Sequence, residues 1–534
     1  MTTEHDVRPS TTGSRAPARA WLTLLAVALG IMVVQIDATV VTVANPVIAA
    51  DLGAGPEGIQ WVTTAYLLVL AGLLIPAGTV ADRVGLKRAF LVAIAGFSVA
   101  SLLCGLAGSV EWLIAARVLQ AVFAALLGPS GLGLIRAAFP ESALPRAIGV
   151  FGAVTALALA GGPMLGGVLV EYAGWPWVFF VNLPFGVVGV VVAALVVRGS
   201  AARGRDPIDV PGAVSLTAAM VSVVWAVSGA QTHGWVSVHT AAFGLAGLAL
   251  LGAFVAIERR SPHPMVPLGL FRNRSFTVGC VLNVLTMVAF FAVLYYLTFY
   301  LQGVRDTSAV MTGVALLPLT AVFTVASPLA GWVTGRLGTR VTVVTGAVLT
   351  AASLALLLRL SVDSGTVTLA VPLVLAGFGA GLMLVPAIGA IVGNAPVERA
   401  GVASGIQQSM QQLGSTLGVA VFGSLLGSTV ASSFPGALRA AFGGGTVAER
   451  LGGDPALLST IPLGFDAAAQ QGLTDRLAGA GTAPEEVRRV VAGVTEVAHR
   501  TFLDGVHTVY AVGIGLAVVA GLLALLVRDA PPAE

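Results

Sequence analysis

The sequence predicts an all-α polytopic membrane protein of fourteen transmembrane helices, grouped as two six-helix bundles with two extra helices inserted between them. Three observations carry this. Of 534 residues, 57% are hydrophobic and only 10% charged, at a mean hydropathy of +0.93, too little charge to cover the surface of a soluble domain. The apolar stretches run continuously for about 20 residues instead of alternating over about 10, which excludes a transmembrane β-barrel. A short pattern also recurs: GTVADRVGLKR at Gly78 to Arg88 aligns with GWVTGRLGTR at Gly331 to Arg340, sharing Gly, Arg and Gly at equal spacing.

Taken in order, residues 1–19 are polar, carry Arg8, Arg15 and Arg19, and read as a cytoplasmic tail. The run from Trp21 to about Ile48 is too long for a signal peptide and lacks a small-residue cleavage site, so it is a retained helix. Further runs near 59–80, 89–109, 112–135, 146–170 and 177–198 complete a first bundle over 20–198. The joints RGSAARGRDPID and ERRSPHPMVPLGLFRNRS enclose a two-helix insert, so that 199–274 forms a separate unit. A second bundle over 275–528 has runs near 275–301, 309–333, 341–360, 366–392, 401–428 and 504–527, interrupted by a loop at 429–503, and 529–534 is a C-terminal tail.

Basic residues sort these connections by side. Arg83, Lys87, Arg88, Arg136, Arg146, Arg198, Arg203, Arg205, Arg259, Arg260, Arg272, Arg274, Arg336, Arg340 and Arg399 fall on one side, against Arg305 and Arg359 in the short loops of the other. The first side is therefore expected to be cytoplasmic, with both termini on it and the charge-balanced loop 429–503 outside. The net charge of +3 serves this topology rather than nucleic-acid binding. Cys104 and Cys280, near opposite faces, and His233, His239 and His263, in loops, show no disulfide or metal spacing.

Within QIDATVVTVANP one carboxylate, Asp37, lies inside an apolar run. An ionised Asp at a bilayer centre costs roughly 2.5 to 3.5 kcal/mol on insertion scales and needs a partner, a wet cavity or a proton. Counting 1.5 Å per residue puts Asp37 about 12 to 16 Å, and Arg117 about 9 Å, below the same face. Facing one cavity, the two charges would act either as a proton-coupling pair or as a fixed structural ion pair. Gln35, Thr39 and Gln120, with Asn283, Tyr296, Gln407 and Gln411, are the expected lining of a substrate cavity. The glutamines would equally serve to join helices, and Tyr296 to sit in an aromatic belt.

In the loop GTVADRVGLKR, Gly78 and Gly85 permit close approach, Asp82 suits a neighbouring helix N-terminus, and Arg83 and Arg88 hold the cytoplasmic side. The second copy has Gly335 in place of Asp82, so a latch there would be asymmetric. GGPMLGG places Gly162 and Gly166 on a small-residue face with Pro163 and Gly167 beside them, a pattern for a hinge, a seal or static packing. No phosphate-binding G-x-x-x-x-G-K-[ST] loop, H-E-x-x-H or G-x-S-x-G is present, so nucleotide-driven pumping and those hydrolytic routes are not expected, and the proton gradient is the expected energy source.

With these motifs the chain resembles the fourteen-helix drug:proton antiporter family of the major facilitator superfamily. The likeness extends through WVTTAYLL, RVLQA at Arg117 to Ala121, WPWVFFVNLP, DPIDVPG, YYLTFYLQGV and ERAGVASGIQQSMQQLG. It implies a major facilitator fold in a bacterial-type plasma membrane, a monomer with no cofactor, and export of small amphiphilic drugs or antibiotics in exchange for protons. A dedicated metabolite, peptide, siderophore or lipid exporter is the alternative, and a membrane-embedded enzyme or receptor a remote one. The resemblance also assigns proton coupling to Asp37 and Arg117, gating to Asp82 and Arg83, and the antiporter motif to Gly162, Pro163, Gly166 and Gly167. Thr42, Asn45, Leu86, Ala121 and Pro176 depart from the family pattern. The repeat register sets Phe290 opposite Asp37, which leaves one carboxylate expected inside the membrane and favours a neutral or singly charged substrate.

Overall fold

A computed structural model describes residues 18–198, 209–235, 237–443 and 446–527. All but the end of the expected N-terminal tail, the joint with Arg203 and Arg205, and the C-terminal tail lie outside the described residues. The first bundle comprises α1 (Ala18–Asp51), α2 (Pro56–Val84), α3 (Leu86–Gly105), α4 (Val110–Ala138), α5 (Leu144–Tyr172), α6 (Trp177–Phe180) and α7 (Asn182–Val196). The run expected as one helix from 177 breaks at Val181, and Pro184 then falls in the first turn of α7, where its missing N–H leaves no gap.

The insert is α8 (Val210–His233) and α9 (Val238–Arg260), each started by its own side-chain cap: Asp209 accepts from the Gly212 amide and Ser237 from that of Thr240. The second bundle contains α10 (Arg274–Phe299), α11 (Ala309–Leu357), α12 (Thr366–Gly393), α13 (Ala400–Phe442) and α17 (Pro484–Ala524), with three short helices between the last two. α11 is two helices meeting at Gly338, where φ is 85°, and Gly85 between α2 and α3 has φ 94°. The second glycine of the repeated pattern thus makes the same left-handed corner in both halves, a conformation that a Cβ would strain. Among the described residues twelve helices are long and apolar enough to cross a membrane, the divided α11 being one of them, and α5 adds the shorter apolar stretch Leu144–Ala158.

Most of the described residues in the segment expected as a loop at 429–503 are helical, including the stretch from Pro484 to Arg500 that the sequence marks as a helix. α13 continues to Phe442 and α17 starts at Pro484, so both project past the apolar spans, and α14 (Thr446–Gly452), α15 (Pro455–Thr460) and α16 (Ala467–Gly479) fold between them. Phe434, Leu438, Leu457, Ile461, Phe465, Leu473, Val494 and Phe502 are buried there as an apolar core. The Gly- and Ala-rich composition hid this core because its apolar residues are spread over four helices and the turn at Ile461 to Phe465. Gly464 also rests against the backbone of Gly303, tying this small domain to the end of the second bundle's first helix.

Candidate functional site: a buried ion cluster and an interlocked helix end

α1 and α4 bring Asp37 and Arg117 together, 80 residues apart in sequence, with Arg117 Nη1 donating to Asp37 Oδ2 at 2.5 Å. Gln120, one turn along α4, donates to Asp37 Oδ1 at 2.9 Å and accepts from Arg117 Nη1. Asn182, at the start of α7, donates to the same Oδ1 at 3.0 Å, and Ser101 Oγ on α3 accepts from both Gln120 and Asn182. Tyr66 on α2 lies under the guanidinium, 4.0 Å from ring centroid to Cζ, and Arg117 Nε donates to the Val62 carbonyl. Asp37, Arg117, Gln120, Ser101, Asn182 and Tyr66 are each at most 1% exposed. Five helices therefore close around one ion pair whose carboxylate has three donors, which is what makes two charges tolerable away from water.

Three members of this cluster escaped sequence reasoning. Asn182 was visible only as one polar residue in an apolar run, and Ser101 and Tyr66 carry no charge to mark them. Gln120, expected in the cavity lining, is consumed in holding Asp37. The second bundle repeats none of it: the repeat register puts Leu319 and Leu354 in place of Tyr66 and Ser101, and Phe290 lines a small void with Thr286, Val293, Thr350 and Met383.

The two bundles meet at the end that carries the basic loops. Asp82, 8% exposed, accepts from the backbone amides of Gly401 and Val402 at 2.8 and 3.0 Å. These are orphan donors in the first turn of α13, whose own N-cap, Arg399, makes no side-chain cap. A Cβ on Gly78 would strike the Gly401 carbonyl, and one on Gly331 would strike that of Pro145 at the start of α5. The second copy has nothing within 4 Å of a Cβ at Gly335, so the carboxylate cap exists on one side only. Arg136 on α4 reaches the Gly393 carbonyl at the end of α12. Arg83 is half-buried and Arg88 exposed at the same end.

Farther from that end the contacts change. Gly162 and Gly166 pack on Thr39 and Val40 of α1, next to Asp37, whereas nothing lies within 4 Å of a Cβ at Gly161 or Gly167, and Met164 is 78% exposed. The small-residue face of α5 is therefore used within the first bundle. Gln35 and Thr39 are partly exposed. Gln407 is buried and donates to Gln411 at 3.1 Å, and Gln411 is partly exposed. Tyr296 is placed differently from expectation: it is 1% exposed and donates to the Val419 carbonyl, so it joins α10 to α13 rather than lining open space. Asn283 is wholly buried, and neither polar atom of its side chain has a partner. Among the described residues no three His, Cys, Asp or Glu side chains are grouped to hold a metal, and both cysteines are buried free thiols.

One residue read as part of a joint belongs to a helix. Glu258, read as the first residue of a polar joint, lies within α9 and is only 4% exposed. The charges following it at Arg259 and Arg260 masked its position in the sequence.

The family model described as Major Facilitator Superfamily matches residues 27–419. This chain belongs to the Major Facilitator Superfamily. It is 41% identical to the tetracenomycin C resistance and export protein of Streptomyces glaucescens, over 100% of this chain and 97% of that one. It is 37% identical to puromycin resistance protein pur8 of Streptomyces alboniger, over 76% of this chain and 81% of that one. Multidrug resistance protein Stp of Mycobacterium tuberculosis shares 36% identity over 75% of each chain. The human organic anion transporter MFSD10 has the same fold at a TM-score of 0.60 and 12% identity, covering 95% of this chain and 100% of that one. Family membership makes the protein a multi-pass membrane transporter, and its bacterial relatives agree with that architecture.

Proposed function

We propose that this protein is a proton-coupled antiporter that exports lipophilic drugs or antibiotics across a bacterial plasma membrane by alternating access between its two bundles. The observation that carries the reading is the sealed cluster of Asp37, Arg117, Gln120 and Asn182 in one bundle only, next to the helix on which Gly162 and Gly166 pack. With the basic end taken as cytoplasmic, the bundles are locked inside and the arrangement is outward-facing. A proton arriving from outside neutralises Asp37 and frees Arg117 from it. The guanidinium must then turn to Gln120, the Val62 carbonyl or the incoming substrate, and the repacking of α1 and α4 weakens the state in which the cytoplasmic end is closed. Return of the proton to the cytoplasm restores the ion pair. Each inward proton adds about 2.3 kcal/mol per 100 mV of membrane potential to the export of substrate.

Similarity to tetracenomycin C, puromycin and multidrug resistance proteins supports an antibiotic or drug as substrate. Identity of 41% over the whole chain to a protein named for one antibiotic favours a narrow range. The test is purified protein in sealed liposomes with an imposed pH gradient, assayed against dyes, tetracenomycin C and puromycin. Substrate movement that responds to the gradient supports the reading, and movement indifferent to it sinks the coupling.

A further inference from the structure

We propose that Glu258 and Asp209 form a proton-binding pair at the joint between the inserted helices and the second bundle. Glu258 Oε1 accepts from the amides of Met265 and Val266, both at 3.1 Å, whereas its Oε2 is buried without a donor. Asp209, 9% exposed, accepts the Gly212 amide on Oδ1 at 2.9 Å, and its Oδ2 is likewise buried without a donor among the described residues. Residues flanking both carboxyls, Met265, Val266, Phe254 and Leu216, belong to one buried apolar cluster with Phe276 and Val402. Glu258 lies within electrostatic reach of Asp209 and of Arg399.

A buried carboxylate oxygen with no donor is a costly group, and this joint has two. Two ionised carboxyls beside one guanidinium would keep a net negative charge out of water. One proton, taken from solvent at the basic end, brings the trio to neutrality and supplies an O–H donor to an oxygen that lacks one. Among the described residues the other charged or titratable groups at this joint do not neutralise it: Arg259, Arg260, His263, Arg272, Arg274 and Glu398 are exposed, and Asp82 already caps α13. Because Arg399 precedes α13, the pair ties the insert to the same helix end that Asp82 holds, and loss of its proton would loosen that tie. The inference does not depend on Asp37 carrying a proton.

Infrared spectra of the Asp37→Asn protein in liposomes, titrated from neutral to alkaline pH, test it. The expected result is the C=O stretch of a protonated carboxyl that disappears as pH rises and is missing at neutral pH when Glu258→Gln or Asp209→Asn is added. Both substitutions keep the acceptor oxygen that receives the backbone amides. Absence of the band in the parent, or its persistence in both added variants, overturns the proposal.

Discussion

Asp82 and Gly401, 319 residues apart, are joined by a hydrogen bond of 2.8 Å from the first turn of α13 to the last turn of α2. The carboxylate meets the positive end of a helix dipole and fills two donors that the helix cannot fill itself. A bond of this kind to a charged acceptor contributes about 1.5 to 3 kcal/mol. It is strong enough to hold one conformation and weak enough to be released in a transport cycle.

Asp82→Ala is therefore expected to open the basic end. Efflux should fall by about tenfold or more, the equivalent of about 1.4 kcal/mol or more. A cysteine placed at the buried Ala400 should become reactive to a water-soluble maleimide applied from that side. Unchanged labelling and efflux would show that the cap does not hold the bundles together.

Gly78→Val should act on the same joint by sterics, because the added atoms meet backbone at Gly401, which cannot rotate away. Transport should be lost while membrane expression persists. Gly335→Ala, where nothing lies within 4 Å, is the control and should change stability by no more than about 0.5 kcal/mol. Equal effects of the two substitutions in an efflux assay would refute close approach at Gly78 as a support of the joint.

Asp37→Asn should abolish efflux driven by a pH gradient and leave insertion intact, since Arg117 keeps the Gln120 oxygen and the Val62 carbonyl. Arg117→Ala strands a buried carboxylate and should destabilise the protein by about 3 to 5 kcal/mol, read as thermal unfolding in detergent. Full gradient-driven efflux by Asp37→Asn would remove this residue from the coupling mechanism.

Gln120→Leu removes a direct donor to Asp37, whereas Ser101→Ala removes only an acceptor behind Gln120 and Asn182. One neutral hydrogen bond is worth about 0.5 to 1.5 kcal/mol, and one to a charge about twice that. Proton-driven efflux should therefore fall by about tenfold or more in the first variant and by less than about tenfold in the second. The reverse order would mean that the cluster is held through Ser101.

Sequence alone established the membrane class, the repeated joint and the pairing of Asp37 with Arg117. Continuous apolar runs, a repeated Gly, Arg and Gly at equal spacing and a charge in an apolar helix are all local signals, and each has few physical solutions. The tertiary structure alone decided the rest. Asn182, Ser101 and Tyr66 join the cluster through contacts between helices that no periodicity encodes. Gln120 and Tyr296 had the right chemistry for a cavity, but neighbouring helices claimed their polar atoms first. Glu258 looked like a loop residue because the charges beside it end the apolar run, and only the packing of the segment around Met265 buries it. Burial and hydrogen-bond partners depend on which surfaces meet across hundreds of residues, and that is settled by packing in three dimensions.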